Sequence, residues 1–84
     1  MVSRTIQVCN EEGIHLRPAG IVCEAAYRFQ SKILFLYDGK RINAKSVLNV
    51  LSAGILPGDS IEIVCEGEDE RLALDALCKV IREL

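Results

Sequence analysis

The segment G-I-H-L-R-P-A-G at residues 13–20 holds the only histidine of an 84-residue chain, with an arginine and a proline close behind it. A helix entered at about Leu16 leaves its first backbone N–H groups without intrahelical acceptors, and with the positive end of the helix dipole they favour an anion. Pro18 fits a first helical turn, where its missing N–H costs nothing and its fixed φ is already helical, and Gly13 lets the chain turn into the site. His15 then stands at an anion site. The helix end and Arg17 favour a neutral, nucleophilic imidazole and a phosphoryl group once it is attached, and a guanidinium can fork onto phosphate oxygens. A nucleophile, a positive lining and an accessible position suit reversible phosphoryl transfer. The same histidine, taken without its surroundings, serves equally well as a helix cap or a surface side chain.

The rest of the chain supplies the elements that would hold this segment. Ser3 to Cys9 places Ile6 and Val8 on one face of a first strand, which N-E-E-G breaks. Ile21, Val22, Ala25, Ala26 and Phe29 recur at helical spacing and predict a first helix from about Leu16 to Phe29. In K-I-L-F-L-Y-D-G-K-R-I-N two apolar segments flank Asp38-Gly39, a pair suited to the positive φ values of a tight hairpin. A short helix follows Ser46, a natural N-cap, and stops at Gly54. S-I-E-I-V-C-E alternates as a fourth strand, and Leu72, Ala73, Ala76, Leu77, Val80 and Leu84 predict one face of a last helix from about Asp69. The order β-α-β-β-α-β-α describes an α+β fold, an antiparallel sheet with helices on one face. Ile33 through Tyr37 are all apolar, so Leu34 and Leu36 fall on the other face; scattered surface leucines are the simpler reading, a self-association patch the sharper one.

Composition bounds the function. Half of the residues are apolar and 26% charged, enough for one compact domain spanning residues 1–84 with a modest core. The net charge of −2 argues against nucleic acid and anionic membranes, which need clustered Lys and Arg. No signal peptide or membrane-length apolar run occurs, so a soluble, cytoplasmic protein is expected. Cys9, Cys23, Cys65 and Cys78 stand far apart without a C-x-x-C pair, which excludes metal-ligand spacing and leaves reduced, structural thiols. The few aromatics show no basic strand pattern of an RNA-binding sheet.

G-I-H-L-R-P-A-G, I-N-A-K-S-V-L-N-V-L-S-A-G-I and G-E-D-E-R-L-A-L-D-A-L together resemble the HPr family, the histidine-containing phosphocarriers of the phosphoenolpyruvate-dependent phosphotransferase system. The likeness spans nearly the whole chain. It implies an open-faced sandwich of four antiparallel strands covered on one face by three helices. It further implies that His15 accepts a phosphoryl group at Nδ1 from Enzyme I and passes it to an Enzyme IIA domain, assisted by Arg17 and by the backbone of Leu16 and Arg17. Ser46 would be the position that a dedicated kinase phosphorylates in many relatives, and Gly20, Val47, Leu48 and Leu51 the patch that docks partners. Such a protein is a stoichiometric carrier, a monomer without cofactor or metal, rather than a stand-alone enzyme.

Several positions depart from the pattern of the family. Leu16 stands where many relatives have a small or hydroxyl residue, and Gly20 replaces a commoner Ala or Thr. Glu24 occupies a place where relatives usually carry a basic residue, and Glu11 and Glu12 add negative charge before the histidine. Since partners in the family tend to present acidic rims, like charges would slow encounter. The alternative function is a regulatory binding module that works through the Ser46 patch with little or no phosphoryl transfer.

Overall fold

A computed structural model describes residues 1–84. The chain forms β1 (Val2–Gln7), α1 (Leu16–Tyr27), β2 (Lys32–Tyr37), β3 (Lys40–Asn43), α2 (Val47–Ser52), β4 (Ser60–Glu66) and α3 (Glu70–Arg82). The four strands make one antiparallel sheet in the order β1-β4-β2-β3. The fold is thus the α+β open-faced sandwich expected from the order β-α-β-β-α-β-α.

Alternation along the strands decides which face is covered. Ile33 and Phe35 on β2, Ile42 on β3 and Ile61, Ile63 and Cys65 on β4 point to the helices and are buried. They pack with Val22, Cys23 and Ala26 of α1, Val50 of α2, and Leu74, Leu77, Cys78 and Ile81 of α3 in one continuous core. A fully buried ring such as Phe35 contributes about 3–5 kcal/mol by the cost of its removal. The opposite face meets solvent: Leu34 lies between Val64 and Asn43, and Leu36 between Glu62 and Arg41. Leu34, Leu36 and Val64 are half-buried there, ringed by Lys32, Arg41, Glu62 and Glu66, so the two leucines form a small joined patch and not isolated surface residues. The hairpin turn is as the Asp-Gly pair predicts, with φ of 51° at Asp38 and 74° at Gly39.

The element ends and faces differ from the sequence reading in ways that packing explains. β1 stops at Gln7, because Val8 leaves the ladder and bonds instead to the segment before β4: its N–H donates to Asp59 O at 2.8 Å and its carbonyl accepts from Gly58 N–H at 2.7 Å. α1 ends at Tyr27; Arg28 and Phe29 close it with short bonds to Ala25 and Ala26 carbonyls. Its buried stripe is Pro18, Ala19, Val22, Cys23 and Ala26, which leaves Ile21 exposed. On α3 the predicted face is rotated: Ala73, Leu74, Leu77, Cys78 and Ile81 are buried, while Leu72 is 69% exposed. The apolar residues of this helix cover more than one stripe, so spacing alone admits two faces, and contact with the sheet selects the one containing Leu74 and Ile81.

Candidate functional site

His15 is the N-cap of α1, extended at φ −86° and ψ −166°, and its side chain caps nothing. Its carbonyl accepts the first intrahelical bond, from Ala19 N–H at 2.8 Å. Pro18 has no N–H, and no backbone acceptor takes the N–H of Leu16 or Arg17. Two adjacent donors therefore remain at a helix end where His15, Leu16 and Arg17 are all exposed. Bare N–H groups at this end create a positive potential that a phosphoryl group on the imidazole would satisfy.

The loop before the histidine is fixed from both sides. Within it, Gly13 N–H donates to Asn10 O at 3.3 Å, and Asn10 Nδ2 donates to Gly13 O at 2.6 Å. Across it, Ile14 N–H donates to Ile55 O at 3.0 Å. Gly13 has φ +66°, and a Cβ there would stand 2.5 Å from Ile55 O and 3.1 Å from Leu56 Cα. Only glycine fits this close crossing of two backbones. N-x-x-G is a turn signal in the sequence, but the partner segment 55–59 lies too far along the chain for local pattern to reveal.

Arg17 forms no ion pair; with Cys9, Asn10, Glu11, Glu12, Pro18, Ile21, Glu83 and Leu84 it lines an open cavity of about 580 Å³. The structure thus gathers Arg17 with Glu11, Glu12 and Glu83 at a cavity that His15 itself does not line. Cys9 is exposed at this cavity, unlike Cys23, Cys65 and Cys78, so the expectation that all four thiols act as buried apolar groups fails for Cys9 alone. Burial raises the pKa of Cys23 and pushes that of Cys65 up to about 11, which leaves both thiols protonated.

α2 packs beside α1. Its N-cap is Ser46, whose Oγ accepts from Asn49 N–H at 3.3 Å and from Asn49 Nδ2 at 3.0 Å. Val47 and Leu48 are exposed, Leu48 by 74%, whereas Leu51 is half-buried against the core. No atom approaches a Cβ built on Gly20 within 4 Å, so open space lies over α1 at that point. Leu16 and Tyr27, 66% and 76% exposed, fall on the same edge of α1 as Gly20 by helical spacing. The exposed apolar edge of α1 therefore runs from Leu16, next to His15, to Tyr27 at the far end of the helix, outside the stripe that periodicity assigned to the core. Glu24 pairs with Arg28 at 3.3 Å on this helix.

The chain matches, over residues 2–83, the family described as the PTS HPr component phosphorylation site. It belongs to the HPr family. It is similar to the phosphocarrier protein HPr of Treponema pallidum, at 44% identity over 92% of this chain and 88% of that one. It is also similar to the HPr-like protein Crh of Bacillus subtilis, at 34% identity over 99% and 98% of the two chains. Among solved structures, HPr-C-His from Thermoanaerobacter tengcongensis superposes with a TM-score of 0.95 at 36% identity, covering 99% of this chain and 93% of that one. An HPr dimer from the same organism gives 0.78, with 99% and 95% covered. No helix is long and apolar enough to cross a membrane, and no cluster of histidine, cysteine and carboxylates suited to a metal forms.

Proposed function

We propose that this protein is a phosphocarrier of the phosphoenolpyruvate-dependent phosphotransferase system, with His15 as the acceptor. The observation that carries the reading is an exposed imidazole at a helix end whose two adjacent N–H donors, on Leu16 and Arg17, are unspent. The Nδ1 lone pair attacks phosphorus as the donor's bond to phosphorus breaks, and the donor, phospho-Enzyme I, leaves with that electron pair. The free N–H groups and Arg17 bind the phosphoryl oxygens, which they do more strongly as charge concentrates there. Transfer to an Enzyme IIA domain is the same step reversed on a new acceptor. The carrier acts stoichiometrically, as a cytoplasmic monomer, and docks through Gly20, Val47 and Leu48, with Leu51 as support beneath. Ser46 is the regulatory phosphoacceptor: a phosphate there adds about −1.5 to −2 charge beside the docking residues.

The likeness to Crh, whose solution structure names it the Bacillus subtilis catabolite repression HPr, favours a second reading, a regulatory module of the same fold; here that module would work through Ser46 without transfer at His15. One experiment separates them. Incubation with phosphoenolpyruvate and Enzyme I adds one acid-labile phosphate to wild type and none to His15→Ala, read by intact mass. His15 makes no side-chain hydrogen bond, so the variant keeps its stability within about 0.5 kcal/mol. A wild type that takes no labile phosphate selects the regulatory module.

A further inference from the structure

We propose that Asp59, held by Tyr37, is a positioning residue for His15, acting through the backbone of segment 55–59; the inference rests on the phosphocarrier reading. The argument lies in how the loop before the histidine is closed. That loop leaves β1 at Val8 and returns at Ile14, and both ends are tied to the same short segment. Val8 exchanges two backbone bonds with it, accepting from Gly58 N–H at 2.7 Å and donating to Asp59 O at 2.8 Å, while Ile14 N–H donates to Ile55 O at 3.0 Å. Gln7 Nε2 adds a bond to Gly58 O at 3.1 Å. The separation of the two anchor points, and with it the span and tilt of the loop, is set by the shape of residues 55–59.

Asp59 fixes that shape. Its Oδ2 accepts Leu56 N–H at 2.9 Å while its own N–H donates to Leu56 O at 3.1 Å, so side chain and backbone together close the turn. The same Oδ2 accepts the phenol of Tyr37, at the end of β2, which ties the turn to the sheet. The phenol and the Leu56 N–H hold the Asp59 carboxyl below its ordinary range, and the carboxylate in turn raises Tyr37, so both keep the protonation states that the bond requires at neutral pH. His15 follows directly on the Ile14 anchor. Its rotation relative to the Leu16 and Arg17 N–H groups is therefore inherited from segment 55–59. Asp59 and Tyr37 make no hydrogen bond to His15, and the bonds of segment 55–59 to Val8 and Ile14 are what connect them to the histidine loop.

The test uses the full chain and the variants Asp59→Asn and Tyr37→Phe. Phosphorylation of His15 by phosphoenolpyruvate and Enzyme I is followed at varied carrier concentration, and amide hydrogen exchange is followed at Ile14 and Leu56. A displacement well under an ångström at a reacting group lowers rate before affinity, so kcat falls about tenfold in Asp59→Asn and less in Tyr37→Phe. KM stays within about twofold, because the exposed apolar surface is untouched. Exchange at Ile14 and Leu56 rises in the same order of variants. Values of kcat equal to wild type in both variants overturn the inference, as does a lowered kcat with exchange unchanged. If Asp59→Asn does not fold, Tyr37→Phe, which removes only the phenolic oxygen, decides by the same two measurements. A wild type that takes no phosphate ends the phosphocarrier reading and this inference with it, an outcome distinct from a phosphorylated wild type matched by its variants.

Discussion

The two helices α1 and α2, which pack against each other, begin differently. α2 starts with a serine whose side chain closes the end at its third N–H, that of Asn49, while the N–H groups of Val47 and Leu48 have no partner. α1 starts with a histidine that caps nothing, and its third residue, Pro18, has no N–H to cap, so the imidazole stays unengaged beside the free N–H groups of Leu16 and Arg17. A helix gives up about 1 kcal/mol when a good capping residue is absent. The twelve-residue α1 buries five side chains and tolerates an open end, whereas the six-residue α2 buries only Val50 and depends on its cap. Packing thus releases the N-cap side chain of α1 from a structural duty, and that leaves an imidazole free beside two open N–H groups.

The largest effect comes from disturbing the open end through its support. Gly13→Ala forces a Cβ against Ile55 O at a positive φ, and should cost about 2 kcal/mol, or roughly 10 °C in Tm. It also displaces the acceptor of the Ile14 N–H, so phosphorylation of His15 slows even in folded protein. Thermal unfolding and phosphorylation rate measured on one sample check both parts; an unchanged Tm would show that the crossing is not tight in solution.

Much of this comparison can be read from sequence, and the failures have physical causes. Strand alternation, the Asp38-Gly39 hairpin and the Ser46 cap are local, and each stands as expected. Residue type leaves a capping role for His15 open; in the structure it caps nothing, and Pro18 at the third helical position offers no N–H for a cap to bond. The rotation of α3 onto Leu74 and Ile81 is tertiary, because a helix rich in apolar residues is oriented by what it packs against. The clamp of segment 55–59 on the histidine loop joins residues distant in sequence through backbone atoms, which carry no trace in side-chain pattern. Cys9 is exposed because it follows buried Val8 on the opposite face, which the alternation of the first strand already implies.

The closed end gives a smaller and separable effect. Ser46→Ala removes the acceptor for Asn49 N–H and should cost about 1 kcal/mol without changing the rate at His15, because α2 ends up less stable but no more charged. Ser46→Asp should do the reverse. Aspartate is as good an N-cap as serine, so Tm holds, while a carboxylate beside exposed Val47 and Leu48 must lose water on docking and slows transfer. Paired measurements of Tm and rate on the two variants check this; a rate loss in Ser46→Ala equal to that in Ser46→Asp would mean that the cap, and not the charge, governs transfer.

The smallest effect concerns the charge around the open end. Glu24 and Arg28 form an exposed ion pair at 3.3 Å along α1, and Glu11 and Glu12 stand by Arg17 at the cavity. An exposed pair of this kind contributes at most about 0.5 kcal/mol, so Glu24→Lys leaves Tm nearly unchanged. Its field reaches further than its stability. If partners meet this surface with acidic rims, as the resemblance to the family implies, replacing one negative charge by a positive one should raise the association rate with Enzyme I a fewfold at low salt. The gain must shrink as ionic strength rises, since exposed charges are screened over about 10 Å at 0.1 M. Stopped-flow or initial-rate measurements at two salt concentrations distinguish this from a contact effect: a gain that persists at high salt would point to a direct bond from the new lysine, and equal rates at low salt would show that the free donors at α1 and Arg17 already dominate the field which a partner meets.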